Sequence, residues 1–229
     1  MLRFTSHEFI TFVLMSDIIT KTISFVQQTL ENAEGGHDWF HIERVWKNAK
    51  LISTKEACDL ELVELAALLH DIADSKFHGG DEEIGPQTAA AWLRSQNYPQ
   101  ERADRITSII RAISFKGGKN EHKDHSIEFK VVQDADRLDA IGAIGIARTF
   151  SYGGFKNRPL YNPEIPANLN LSKEEYKNNP GPTINHFYEK LLLLKDLMNT
   201  ATGRRIAQER HEFMETFLSQ FFQEWNGEK

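Results

Sequence analysis

The chain has 229 residues, of which 40% are hydrophobic, enough to build a full core in one domain. Its net charge of -6 argues against nucleic acid as the main partner, which would favour a basic face, but leaves room for a local basic pocket. One cysteine, Cys58, rules out an internal disulfide and agrees with a reducing cytoplasm.

Residues 9–14 are apolar, but the run is too short, with only Arg3 ahead of it, to read as a signal segment. No stretch approaches the roughly 20 apolar residues of a membrane span. Helical periodicity begins after Ser16, so residues 1–14 are expected to be an extension ahead of a native start at Met15. Ile19, Ile23, Val26 and Leu30 make the first helical stripe, and Gly35-Gly36 break it. A second helix is expected from near His37, with Val45, Asn48 and Ile52 on the face of His41. A third spans residues 60–71. Pro86 suits the first turn of a fourth helix through Trp92. Pro99 opens a fifth, with Ile106, Ile109, Ile110 and Ile113 inside, and Ser126 caps a sixth over residues 129–150. Residues 153–183 then change texture, with Gly153-Gly154, Pro159, Pro163, Pro166 and Asn179-Pro180-Gly181-Pro182. So long a connector is expected to be a lid over the active site or an arm to a second copy. Two more helices follow, around residues 187–198 and 206–225. With no strand alternation and no repeat, residues 1–229 read as one all-α domain.

The chemistry begins at His70-Asp71, which closes the apolar run from Leu60. A histidine sharing a helix face with Val63, Ala66 and Ala67, followed at once by a carboxylate, is costly to bury unless something pairs with both. A divalent metal answers for both. His41 lies on an apolar stripe, and Asp136 shares an inward face with Phe129, Val132, Ala140 and Ala143. Asp134 falls roughly 200° from Val132 at helical pitch and is expected to point away. Two imidazoles and two carboxylates favour one six-coordinate ion, Mn, Fe, Co, Ni or Mg, with Mn preferred. A structural zinc site would want more cysteine. The open positions suit water as the nucleophile in metal-assisted hydrolysis. Asp74, one helical step past His70, is placed to orient or deprotonate that water if the helix persists. Further histidines, His37, His78, His122 and His125, are available for a second ion, but one ion is the simpler reading. Contacts to a phosphorylated substrate are expected from Arg44, Lys76, Lys116 and Arg148, with Lys190 and Arg204 contributed by the last helices. Phe77, Phe115 and Tyr152 are candidates to wall a base.

These motifs resemble the HD superfamily of metal-dependent phosphohydrolases. The resemblance lies in His41-Ile42-Glu43-Arg44-Val45, in His70-Asp71-Ile72-Ala73-Asp74 and in Asp134-Ala135-Asp136-Arg137-Leu138-Asp139-Ala140. It extends to a stand-alone bacterial subgroup through residues 36–41 and 142–148 and the C-terminal helices, covering most of residues 20–225. The resemblance implies an all-α HD-domain bundle with a C-terminal helical extension. It implies His41, His70, Asp71 and Asp136 as metal ligands, with Asp71 and Asp74 in the catalytic machinery. The implied function is a cytoplasmic phosphohydrolase acting on nucleotides, with pyrophosphate release from nucleoside triphosphates favoured. A cyclic-nucleotide phosphodiesterase or nucleotidase is the alternative enzyme, and a non-catalytic metal- and nucleotide-binding sensor the alternative of another class. No nucleic-acid or membrane partner is expected, and a homo-oligomer would use the 153–183 arm. There is no HHE…GYP-type motif and no synthetase or nucleotidyltransferase segment, which sets aside the cyclic-di-GMP, alarmone and tRNA-end branches.

Overall fold

A computed structural model describes residues 6–31, 33, 38–73, 81–114, 124–169 and 181–229. Among these residues the chain is all α-helical, with no strand. The helices are α1 (Ser6–Thr29), α2 (Trp39–Ser53), α3 (Leu60–Leu69), α4 (Ile84–Ser95), α5 (Gln100–Ser114), α6 (Ile127–Asp139), α7 (Gly142–Phe155), α8 (Asn185–Glu189) and α9 (Ala201–Trp225), with a 3-10 helix at Leu191–Leu197 before α9. None is long and apolar enough to cross a membrane. The chain forms two compact units, Met1–Ala135 and Asp136–Lys229.

The first unit is built around α3. Its residues from Leu62 to Leu69 are apolar except Glu64, and Leu62, Val63, Leu65, Ala66, Ala67, Leu68 and Leu69 are wholly buried. A helix that is hydrophobic all round must be covered on all sides, and α1, α2 and α5 pack against it. The two acids on α3 are both answered. Glu64 accepts from the Trp46 indole at 2.9 Å. Glu61, 7% exposed, accepts from the Tyr98 hydroxyl at 2.6 Å and from Arg102 at 3.0 Å. Arg102 also grips Asp59 through two N–H groups at 2.9 and 3.0 Å, while Asp59 caps α3 by accepting from the Leu62 N–H. Burial pushes the Asp59 carboxyl up, but the Arg102 hydrogen bond and the Leu62 N–H outweigh it and hold the group below its ordinary value.

The expected helices appear, with four changes of extent. Helix α1 already runs from Ser6, because nothing between Ser6 and Ser16 interrupts a helix. Helix α3 stops at Leu69, so His70 caps it and Asp71 lies in the turn beyond. The single sixth helix is two: Ile141 is extended and Gly142 takes φ +75°, which an L side chain rarely adopts, and a Cβ at Gly145 would fall 2.2 Å from the Ala140 carbonyl oxygen. The expected helix at 187–198 is a short α-helix followed by a 3-10 helix, joined at Lys190 with φ -145°.

The second unit packs α9 on α7 and on the 3-10 helix. Aromatic rings fill its interior: Phe187 stacks on Phe217 with centroids 5.8 Å apart, and Phe150 meets both. Of the expected lid or arm, residues 153–155 belong to α7 and residues 170–180 lie outside the described residues. Its first part is held within the second unit. Thr183 and Ile184 donate to the Pro159 and Leu160 carbonyls at 2.9 and 3.0 Å, and Tyr161 packs edge-on against Phe222 and Trp225.

Asp59→Ala should destabilise the chain by about 1 kcal/mol through loss of the cap, and more if Arg102 is left unpaired. Because the folded carboxyl is depressed, its stabilisation is present above the ordinary value of 3.8 and is lost as pH falls through the lower folded value. Urea titrations of wild type and variant should therefore differ at pH 6 and converge in strong acid.

Candidate metal centre

Three of the expected residues converge. One ligand atom each from His41, His70 and Asp71 lies within 4.8 Å of the others. His41 is 3% and His70 4% exposed, and their rings meet edge-on with centroids 5.4 Å apart. Each side chain is set by its helix. Asp38 caps α2 by accepting from the His41 N–H at 2.9 Å, so the histidine stands in the first turn, with Val45 and Ile52 buried behind it on the same stripe. His70 is delivered by the end of the buried helix α3. Its Nδ1 lies 2.8 Å from the Ala67 carbonyl oxygen. A carbonyl only accepts, so Nδ1 carries the proton and the lone pair sits on Nε2. Metal-ligating histidines are characteristically held in this way, by donating the other ring N–H to a carbonyl. Two buried imidazoles, one with its tautomer fixed, and an adjacent carboxylate are a donor set suited to a divalent ion.

The other expected residues are distributed as follows. Asp136 is half-buried and is the first residue of the second unit, outside the three-residue group. Asp134 is fully buried, contrary to the expectation that it points away. The buried side of α6 takes in Glu128, Val131, Ala135, Leu138 and Asp139 as well as Phe129 and Val132, so it is broader than the expected face, and Asp134 falls within it while Asp136 lies at its half-buried edge. Ala143, expected on the face of Asp136, is exposed because the break at Gly142 removes it from that helix. Arg44 is half-buried on α2. Arg148 donates to the Asp139 carboxylate at 2.6 Å and to its carbonyl at 3.2 Å. Asp139 is 1% exposed, so this ion pair was a feature that composition concealed and the Asp139-to-Arg148 spacing across a glycine break made available. Asp74, Lys76, Phe77, His37, His78, Lys116, Phe115 and His122 lie outside the described residues. His125 and Tyr152 are exposed.

Comparison with known proteins gives the family. Residues 39–141 match the HD domain family. The chain is 43% identical over 206 residues to YpgQ of Bacillus subtilis (strain 168), covering 86% of this chain and 88% of that one. It is similar in structure to an HD-superfamily hydrolase from Bacillus thuringiensis, with 45% identity, a TM-score of 0.75, and 93% of this chain and 98% of that chain covered. It is also similar to the crystal structure of Bacillus subtilis YpgQ in complex with ADP, with 38% identity in the superposed residues, a TM-score of 0.72, and 92% and 96% covered.

His70→Ala and Asp71→Ala should each abolish retention of a divalent ion, since each removes one of three clustered donors. Elemental analysis of the purified variants against wild type checks this; a full complement of metal in either variant would remove these residues from the centre.

Proposed function

Because the chain belongs to the HD-domain superfamily, we propose that it is a divalent-metal-dependent phosphohydrolase of nucleotides, releasing pyrophosphate from nucleoside triphosphates. The observation that carries this reading is the convergence of His41, His70 and Asp71, with His70 locked in the tautomer that leaves Nε2 as donor. The ADP bound by a relative supports a nucleotide as ligand. His41, His70 and Asp71 hold the ion, Asp136 is the fourth protein ligand, and Mn is the preferred metal. A divalent ion in such a set supplies Lewis acidity toward water and toward a phosphoryl oxygen. The chain's own groups do the rest. The Ala67 carbonyl keeps the His70 ring from rotating and leaves Nε2 as its donor atom. Asp74 takes the proton of the attacking water. Because α3 ends at Leu69, its placement rests on its closeness in sequence to the pair and on the family resemblance, not on a further helical step. Arg44, Lys76 and Lys116 bind phosphate oxygens, and Arg148 would do so while held by Asp139.

A panel of nucleoside mono-, di- and triphosphates and cyclic nucleotides, incubated with Mn, tests the reading. Pyrophosphate from triphosphates is expected, and an inert panel would leave a binding protein. Two substitutions test the roles. Asp136→Asn should lose metal, whereas Asp134→Asn should keep it and instead lower stability, since it alters a fully buried group. The reverse metal contents would exchange the two roles. Asp74→Asn should lower turnover by roughly 10²-fold or more with metal content and KM near wild type, as expected for a general base. Loss of metal would make it a ligand, and unchanged turnover would leave it without a part in the reaction.

A further inference from the structure

His41 is the third residue of α2 and stands in the part of a helix that is least held. The first four N–H groups of a helix have no partner inside it, and helices fray there. Little packing offsets that here. Phe40 is 62% exposed and Trp39 half-buried, so the anchors of the turn are Ile42, wholly buried, and the His41 ring itself. His70, by contrast, leaves a helix that is covered on every side, and its ring is held by the Ala67 carbonyl. Asp38 closes the weak turn. Its backbone is extended, with φ -83° and ψ 174°, so the chain bends into the helix at this residue. Its carboxylate accepts from the His41 N–H at 2.9 Å, and its carbonyl from the His41 and Ile42 N–H groups at 3.1 and 3.3 Å. Two of these three bonds end on the backbone of the clustered histidine. In a capping box the side chain at this third position is Glu or Gln and reaches back to the cap. Here it is a buried imidazole grouped with His70 and Asp71, so the cap falls to Asp38.

We propose that Asp38 is a positioning residue for the metal centre: its cap holds the first turn of α2, so that the His41 ring keeps its place beside His70 and Asp71 ahead of ion binding. The inference rests on the reading of those three residues as a metal centre. Asp38 acts through the His41 backbone and not on the ion. Donors already in register give up little conformational freedom when they take an ion. Donors on a fraying turn must be ordered at that moment, and the apparent affinity falls by the fraction of time the turn is out of place. Groups that orient a metal-binding histidine from behind change metal affinity by roughly 10–100-fold when removed.

The probe is Mn alone, titrated into the full-length protein and followed by the paramagnetic resonance signal of the free ion. Asp38→Ala should bind Mn about tenfold more weakly than wild type. Asp38→Asn keeps a capping side chain and loses only the charge, so it should stay within about threefold. Asp59→Ala measures what destabilisation alone does. It removes the cap of α3 in the same unit, roughly 16 Å along that helix from His70, and should leave Mn affinity within about threefold of wild type. Urea unfolding without metal checks that both alanine variants are folded and lose comparable stability. If Asp38→Ala binds Mn as wild type does while His70→Ala has lost it, the centre stands and Asp38 has no part in it. Asp38→Asn as weak as Asp38→Ala would overturn the role of the cap, because the charge would then be at work. An equal loss in Asp59→Ala would overturn it too, by reducing the effect to stability. No uptake of Mn by wild type would sink the centre, and this role with it.

Discussion

The burial of α3 is the constraint on which the candidate metal centre depends. A ten-residue helix with apolar groups on every side has no stable position except inside the first unit. Each fully buried leucine or valine contributes about 1.5–3 kcal/mol, so the helix is fixed by many additive contacts rather than by one. Its C-terminal end is thereby fixed as well. His70 emerges where the helical hydrogen-bond ladder runs out, and the Ala67 carbonyl takes its Nδ1 proton. The same unsatisfied carbonyl that every helix end must dispose of is used here to set a tautomer. Ligand precision comes from a rigid element supporting a short projection, not from a loop.

The polar groups around α3 serve the same end. A carboxylate inside an apolar environment is tolerated only with full pairing. Asp59, Glu61, Tyr98 and Arg102 form one connected network at the start of α3, and Trp46 meets Glu64 from α2. Glu128 at the start of α6 accepts from the Asp59 N–H at 2.9 Å and from Arg105 at 3.2 Å. Asn48 on α2 donates to the Ala135 carbonyl at 3.4 Å. The N-terminal end of α3 is thus cross-linked to α5 and α6 by hydrogen bonds, while its C-terminal end is left to the chemistry.

In the second unit, two arginines answer the carbonyls exposed by the end of α6: Arg148 reaches the Asp139 carbonyl and Arg210 the Leu138 carbonyl. Arg137, on α6 itself, donates to the Leu197 carbonyl at the end of the 3-10 helix. Cations at a helix C-terminus are favoured by its dipole as well as by the hydrogen bonds. Asp139, almost wholly buried, is compensated by Arg148 at 2.6 Å. The chain turns sharply at Ile141-Gly142 without leaving polar groups stranded, which is the reason two helices stand where the hydrophobic period alone suggested one.

Helix content was legible in the sequence because apolar period and capping residues act locally. The Ile106, Ile109, Ile110 and Ile113 stripe is buried as expected, Asp38 and Ser126 sit before the helices they cap, and His41, Val45 and Ile52 share a buried face. His70-Asp71 and His41 were legible for a different reason: polar groups set into apolar stripes are too costly to be incidental together. What periodicity does not encode is where a helix stops and how much of its circumference is covered. The end of α3 at Leu69 and the break at Gly142 depend on backbone conformation, which the hydrophobic pattern passes over. Asp134 was assigned outward because it is rotated away from Phe129 and Val132, yet the buried side of α6 is broad enough to include it, and the half-exposed side runs through Lys130, Gln133 and Arg137. Arg148 was expected to contact a phosphorylated substrate, and tertiary structure sets it on Asp139. The sequence by itself determined the all-α class and the candidates His41, His70 and Asp71, which the structure clusters, since these follow from local period and from the cost of burying charge. Only the tertiary structure decided the burial of Asp134 and the partner of Arg148, because each depends on how the chain packs beyond the reach of the local hydrophobic period.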